Sequence, residues 1–269
     1  MTTETATAEA CGLLSREGVP VPLRGVRVEA TIRDYAARVV LVQRYRNDEA
    51  LPIEAVYRFP LEEGVAVCGF EAVIDGRRVV GEVDERGKAF ERYDEALAAG
   101  HGAYLLDEER ADVFTLSVGA LPPGKEVVLQ LTTVSELPLE GDSIRFTLPT
   151  TLSPRYAPAE DREGPGESEA QRVGAPWALT VPYGLELTVS VETTAPLRGI
   201  ESPTHPIALA LDDHRATVRL AERSASLDRD FVLKIALAET HRPRAVVERA
   251  PDGRAHALVS FRPEFASAS

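Results

Sequence analysis

Polar and apolar residues alternate along much of the chain, which is the pattern of β-strands with one buried face. The segment "GVRVEATIR" shows it clearly, because Val26, Val28 and Ile32 fall on one side and charged residues fall on the other. The next segment, "RVVLVQRYRN", keeps the alternation but begins apolar on both faces. This pattern predicts two strands with one wet face and deeper burial where the second strand begins.

Further strand patterns follow, and turn residues separate them. "VCGFEAVID" and "RRVVGEV" flank Asp75-Gly76, a strong hairpin signal, and "DVFTLSVG" and "KEVVLQL" flank "ALPPG". More short strand patterns occur after residue 176, among them "LELTVSVETT", "PIALALDD" and "HALVSF". We therefore predict a mainly β fold, made of one or more antiparallel β-sandwiches with one main α-helix.

The single helical pattern covers residues 85–99. Phe90, Tyr93 and Leu97 recur on one stripe at helical spacing, and Gly100 suits the left-handed position after a helix end. A stripe with two aromatic residues is expected to pack against strands, so this helix should cover a sheet face or a sheet end.

Composition divides the chain into three segments. We predict a β-rich domain over residues 11–152 and a second β-rich region over residues 177–265, which packs on the first in one interpretation. Residues 153–176 between them are rich in Pro, Gly, Glu and Ser. Such a composition buries little apolar surface, so residues 153–176 are expected to form a mobile loop or linker, with proteolytic cutting expected at residues 158–174.

Charge and cysteine content exclude several classes of function. The 269 residues carry a formal net charge of −13, which argues against nucleic acid and anionic lipid as partners. Neither Cys11 nor Cys68 belongs to a CxxC pair, so a zinc cluster is not expected, although the sequence leaves open whether the two cysteines pair. The start of the chain is not a secretory signal, and no apolar run approaches the roughly 18 residues of a membrane helix, so we expect a cytoplasmic protein.

Candidate chemistry centres on His101, which lies between Gly100 and Gly102. One interpretation is a general base with a nearby carboxylate such as Asp107, as in a hydrolase. The other is a structural histidine that hydrogen-bonds the backbone at a helix end. No G-x-S-x-G nucleophile motif, EF-hand spacing or phosphate-binding glycine pattern occurs. The structural interpretation is preferred, with no enzyme activity, no cofactor and no tight metal site expected.

Several motifs in order resemble the VIT domain, the module named after vault proteins and the heavy chains of the inter-alpha-trypsin inhibitors. They are "YRN" with "PIEAVYRFPL", the "GF" before the hairpin, the helix into "GHGAYLL", and "DVFTLSVGALPPG". The resemblance covers residues 11–138, about half of the chain. It implies a β-rich module without catalysis, in which Gly100 and Gly102 reverse the chain and His101 fixes that turn or faces a neighbouring domain.

In the family this module usually precedes a von Willebrand factor A domain with a D-x-S-x-S metal site, and this sequence contains no such motif. The segment "HALVSFRPEF" is similar to the strand before the A domain, which leaves open a piece of a longer protein or a stand-alone form. The resemblance implies a protein-interaction or scaffold module that works with an A domain. A glycan- or small-ligand-binding sandwich is the alternative, but its aromatic groove would draw on one tryptophan, Trp177.

The two interpretations of His101 predict different variants. A structural histidine predicts that His101→Ala lowers the free energy of unfolding by about 1 kcal/mol, the usual size of one hydrogen bond. Gly100→Val should cost more, since a β-branched residue is a poor occupant of a left-handed position. Thermal melts and an assembly assay measure both. Unchanged stability and assembly with a lost hydrolytic activity would favour the enzyme.

Overall fold

The computed structural model describes residues 12–15, 18–60, 64–81, 106–110, 113–149, 185–222, 229–238, 243–250 and 252–260. Every regular element in these ranges is a β-strand, which confirms the predicted mainly β class. The predicted helix at residues 85–99 lies outside the described residues and stays a prediction. No helix that could span a membrane occurs in the ranges given above.

Eighteen strands follow one another in the described ranges. The first eleven precede residue 150: β1 Gly12–Ser15, β2 Leu23–Arg33, β3 Ala36–Arg46, β4 Ile53–Pro60, β5 Val65–Ile74, β6 Arg77–Gly81, β7 Leu106–Arg110, β8 Val113–Leu121, β9 Glu126–Glu136, β10 Leu139–Glu140 and β11 Ser143–Leu148. The other seven are β12 Leu185–Glu192, β13 Leu197–Glu201, β14 Ile207–Leu211, β15 Arg215–Leu220, β16 Phe231–Leu237, β17 Arg244–Arg249 and β18 Ala255–Ser260.

The largest sheet has eight strands in the order β14-β15-β12-β2-β3-β9-β5-β6. All its pairs are antiparallel except β12 and β2, which run parallel from Leu185 beside Val26 to Glu192 beside Arg33. The sheet is therefore mixed, whereas alternation along the chain predicted antiparallel sheets. Strands from both sides of residues 153–176 share it, although the predicted segment boundaries themselves stay a prediction.

One face of this sheet is apolar because the strands are in register. Leu187, Val28, Leu41, Leu131 and Phe70 follow one another as direct partners across five strands, and all are buried. The alternation seen in β2 and β3 thus continues across the sheet as rows of apolar side chains. Each such side chain contributes about 1.5–3 kcal/mol on burial.

Two four-stranded sheets complete the core, with the orders β1-β4-β8-β7 and β10-β11-β16-β13. The first contributes Tyr57 and Phe59, and the second contributes Phe146 and Phe231, to the same cluster of buried residues as the large sheet. The core is thus continuous from the strands near residue 13 to those near residue 237. This layering is the sandwich arrangement that the sequence predicted.

The opposite face of the large sheet carries charged pairs at β2, β12 and β15, where the other half of each alternating strand is polar. Arg27 on β2 donates to Glu186 on β12 at 2.8 Å, and Arg215 on β15 donates to Glu192 on β12 at 2.8 Å. These pairs are exposed, so each adds at most about 1 kcal/mol. Their positions, however, match the strand register of β2, β12 and β15.

The hairpin signal at Asp75-Gly76 is confirmed. β5 and β6 pair antiparallel on either side of it, and both turn residues have positive φ, 49° for Asp75 and 79° for Gly76. Two left-handed residues are what a type I′ turn needs, and Asp-Gly supplies them with little strain.

The acidic residues that follow Leu106 lie in a strand over residues 106–110, which the alternation along the chain did not predict. They form β7, which pairs antiparallel with β8. Backbone hydrogen bonding to β8 at the edge of the sheet makes this segment a strand. The sequence "LDEER" does not alternate between apolar and polar residues, so it does not predict the strand. The same reason explains why β1, β13 and β17 carry no clear sequence pattern.

Asp34 fastens the turn between β2 and β3 to the turn after β12. Its Oδ1 accepts hydrogen bonds from the Thr194 backbone N–H at 2.9 Å and from Thr194 Oγ1 at 3.0 Å. Its own N–H donates to the Glu192 carbonyl at 3.0 Å. Asp34 is buried and has a φ of 48°, a conformation that Asp tolerates better than most residues. The parallel pair of strands is thereby closed at one end.

The shared sheet predicts the outcome of a cut between the two β-rich segments. A specific protease site that replaces residues 163–169 should be cleaved without separating the fragments in native size-exclusion chromatography. Val189→Asp should release them after the same cut, because it places a charge in the fully buried centre of β12. Fragments that separate in the parent chain, each with its own cooperative melt, would show two independent domains.

Candidate interaction surface

The site residues predicted from the sequence lie outside the described residues. This applies to all six positions: Phe90, Tyr93, Leu97, Gly100, His101 and Gly102. Their roles as a structural or interaction site therefore stay predictions.

The described histidines do not converge on a site. His205 is buried and its ring centroid lies 5.7 Å from that of Phe231, and His214 Nδ1 lies 3.0 Å from the Thr193 carbonyl oxygen. His256 is exposed on β18. In the part of the chain that the structure describes, no group of three or more His, Cys, Asp or Glu side chains is placed to hold a metal ion.

Asn47 is a fully buried polar residue that joins two loops. Its Nδ2 donates to the carbonyl oxygens of Leu121 at 2.8 Å and Leu51 at 3.0 Å. Its Oδ1 accepts from the Glu49 N–H at 2.9 Å. Three hydrogen bonds from one side chain thus hold the β3–β4 loop against the end of β8, where an unpaired carbonyl would be costly.

The backbone of Asn47 adds to this junction. Its N–H donates to the Lys125 carbonyl at 3.0 Å, and its carbonyl accepts from the Gly124 N–H at 2.8 Å. Gly124 has a φ of 70°, which favours glycine at this position of the β8–β9 turn. The "YRN" and "ALPPG" motifs are therefore one structural unit. The sequence showed both motifs but not that they meet.

A second buried polar group links the large sheet to β4. Gln43 Oε1 accepts a hydrogen bond from Tyr57 Oη at 2.6 Å and another from Tyr45 Oη at 3.2 Å. Gln43 lies in a row of apolar residues on β3, where the alternation alone predicts an apolar side chain. The two tyrosines supply hydrogen-bond partners that let an amide occupy the core.

The hairpin of β17 and β18 presents an apolar surface. Ala245 pairs with Val259 and Val247 pairs with Ala257, so the four side chains share one face, which we call the hairpin stripe. Val247 is 63% exposed and Val259 is 64% exposed. In the described ranges these two strands pair only with each other.

The turn of this hairpin is held by Asp252. Its carboxylate accepts from the Arg254 N–H at 3.0 Å and from Arg254 Nε at 2.6 Å. The side-chain hydrogen bond and then the backbone hydrogen bond from Arg254 lower the pKa of Asp252 below its ordinary value. The turn is thus defined by local contacts, while the stripe faces outward.

The family model of the vault protein inter-alpha-trypsin domain, abbreviated VIT, matches residues 23–133. These residues form a VIT domain. The match begins at β2 and ends within β9, so it contains the strands from β2 to β8, the Asn47 junction and the residues around His101. The resemblance inferred from the motifs is confirmed.

Similarity to known proteins extends beyond the VIT domain itself. The mouse von Willebrand factor A domain-containing protein 5A is 36% identical over 267 residues, which cover 94% of this chain and 33% of that protein. The mouse protein mono-ADP-ribosyltransferase PARP4 is 36% identical over 260 residues, which cover 95% of this chain and 13% of that protein. The chain thus spans a third or less of these two relatives, and the transferase named in the second is not assigned to it.

Among solved structures, an M1 zinc metallopeptidase from Deinococcus radiodurans aligns with 96% of this chain and 50% of its own. The TM-score is 0.41 and the sequence identity is 10%. A likeness of this size carries no argument about the fold or function of the VIT-containing chain.

The Asn47 junction predicts a test of the VIT core. Asn47→Ala should lower the free energy of unfolding by about 1–3 kcal/mol, because buried carbonyls lose their donor. Asn47→Asp should cost more, since a carboxylate would face the Leu121 and Leu51 carbonyls. Glu49→Ala, an exposed position in the same loop, should change stability by at most about 0.5 kcal/mol. Urea denaturation measures all three, and an Asn47→Ala value close to that of Glu49→Ala would contradict the role of the junction.

Proposed function

We propose that this chain is a non-catalytic protein-interaction module that packs against a von Willebrand factor A domain, in the same longer protein or as a separate partner. The observation that carries the proposal is the exposed apolar stripe on the β17–β18 hairpin. The stripe gives another protein an exposed apolar surface to bind. Among the described residues, no cluster of His, Cys, Asp or Glu side chains points instead to a metal-dependent reaction.

The physical basis is the marginal stability of an isolated hairpin. A two-stranded hairpin needs a further sheet or another packed surface to be stable in water. Two valines with more than half of their surface exposed, directly beside two alanines, give the hairpin an apolar face. A partner that covers this face would remove apolar surface from water, at about 25 cal/mol per Å².

The relatives support the choice of partner. The name of the mouse 5A protein states that it contains an A domain, and its similarity to this chain spans almost all of the 269 residues. β18 contains "HALVS", the beginning of the segment "HALVSFRPEF" that resembles the strand before an A domain. The hairpin stripe lies partly on this strand, so an A domain that follows it in the chain would be close enough to contact the stripe.

The alternative functions have less support in the described residues. A glycan site needs an exposed aromatic platform, yet Tyr45, Tyr57, Phe59 and Phe70 are buried in the core. His101 lies outside the described residues, so they give a hydrolase that uses it no support. The glycan-binding function and the hydrolase function therefore remain alternatives.

The test uses A domains of the source organism, produced separately and titrated against this chain by biolayer interferometry. The double variant Val247→Asp, Val259→Asp should weaken binding at least about tenfold, since both charges would be buried in the contact. The matched control is Val80→Asp, which places the same charge at a 55% exposed valine on β6.

Two results would contradict the proposal. One is that no A domain binds the parent chain. The other is that the Val80→Asp control weakens binding as much as the double variant does. Unchanged thermal melts for all variants are required for the comparison, because only then does a change in binding report on the stripe.

A further inference from the structure

The outermost strand at one side of the large sheet, β14, is apolar. β14 pairs with β15 on one side, and no described strand pairs with its other side. Leu209 is 39% exposed and Leu211 is 46% exposed. An edge of this kind is a template for another strand unless charges, prolines or a bulge protect it.

The hydrogen bonds between β14 and β15 show which backbone groups face outward. The Ala221 N–H donates to the Pro206 carbonyl at 3.1 Å, and the Asp212 N–H donates to the Arg215 carbonyl at 2.8 Å. In an antiparallel pair, hydrogen-bonded and non-bonded residues alternate. The even positions from 206 to 212 are therefore bonded to β15. The N–H and C=O groups of Ile207, Leu209 and Leu211 point to the open edge.

We propose that two copies of this chain associate edge to edge through β14, antiparallel, with a two-fold axis at Leu209. In this register Leu209 faces Leu209 of the second copy, and Ile207 faces Leu211 of the second copy. Each of these pairs can exchange two backbone hydrogen bonds, because all three residues direct their free groups outward. The eight-stranded sheets of the two copies would become one continuous sheet.

The side chains fit the same register. Leu209 is the direct partner of the fully buried Val218 on β15, so it lies on the core side of the sheet. Ile207 and Leu211 share that side, and their counterparts would extend the apolar row across the seam. Ala208 and Ala210 occupy the other side, where small side chains leave room for a close approach. Pro206 precedes the strand, and its missing N–H falls on the side of β15, so it removes no hydrogen bond from the seam.

The distribution of charge does not oppose a second copy, despite the net charge of −13. Asp212 of one copy would lie opposite Pro206 of the other. The two Asp212 residues are then about 20 Å apart along the strand, from six residues at about 3.4 Å each. This exceeds the Debye length of about 8 Å at physiological salt, so their repulsion is screened. No charged residue lies between positions 207 and 211.

The other edge of the sheet provides a contrast within the same molecule. β6 begins with Arg77 and Arg78, and charged residues on an edge strand discourage pairing. β14 has no such device, and its pairing with β15 shows no register shift. Two five-residue strands bury less than the roughly 1,200 Å² of stable interfaces. The association is therefore weak, with a dissociation constant in the micromolar to millimolar range. It stops at two copies because the free edge of each β14 is then paired.

Sedimentation velocity of the full chain over a range of concentrations tests the pairing. The parent chain should shift from monomer to dimer as the concentration rises to several hundred micromolar. Leu209→Lys should raise the dissociation constant at least about fivefold, because like charges would face each other directly at the axis. Leu209→Glu should do the same, and an equimolar mixture of the two variants should recover a dimer.

The control is Val80→Lys on the opposite edge, which should leave the dimer unchanged. Circular dichroism should show the same fold for every variant. The proposal is overturned if the parent chain stays monomeric throughout, if Leu209→Lys still dimerises as the parent does, or if the Lys and Glu variants fail to associate when mixed. A monomeric parent chain that binds an added extended peptide would indicate a strand from another protein as the occupant.

Discussion

The parallel pairing of β12 with β2 is the interaction on which the rest of the structure depends. It places the strands after residue 184 beside the first long strand, so that β12, β14 and β15 extend the sheet begun by β2, β3 and β9. The apolar row through Leu187, Val28 and Leu41 exists only because this register is kept. A shift of one residue would turn the buried face of β12 toward solvent. Asp34 and Thr194 close the pair at one end and oppose such a shift.

Buried polar residues give this apolar core its specific connections. Asn47 joins two loops, and Gln43 joins β3 to β4 through Tyr57. Hydrophobic burial is not directional, so it stabilises many similar packings. A buried amide is satisfied in one arrangement only, because a misplaced partner leaves a polar group without a hydrogen bond. The two polar junctions therefore select which sheets and loops meet, while the apolar rows supply most of the stability.

The sequence predicted the elements whose signal is local. β2 and β3 have one buried face, so their side chains alternate, and Asp75-Gly76 marks its turn because few residue pairs adopt two left-handed conformations. Strand partners are a different matter, because β2 and β12 are far apart in the chain and many registers satisfy the same alternation. Short edge strands such as β7 are defined by backbone pairing and leave no trace in the side chains. The "YRN" motif pointed to the family, but the role of Asn47 required the position of Leu121.

The parallel pair also has a consequence for the newly made chain. Residues 34–184 must be synthesised after β2 before β12 is available. At about 5–20 residues per second, this interval of about 150 residues lasts about 8–30 s on the ribosome. During that time β2 has β3 as a neighbour on one side and a bare backbone edge on the other. Arg27, Glu29 and Arg33 alternate along that edge, and their charges hinder pairing between neighbouring nascent chains on one polysome.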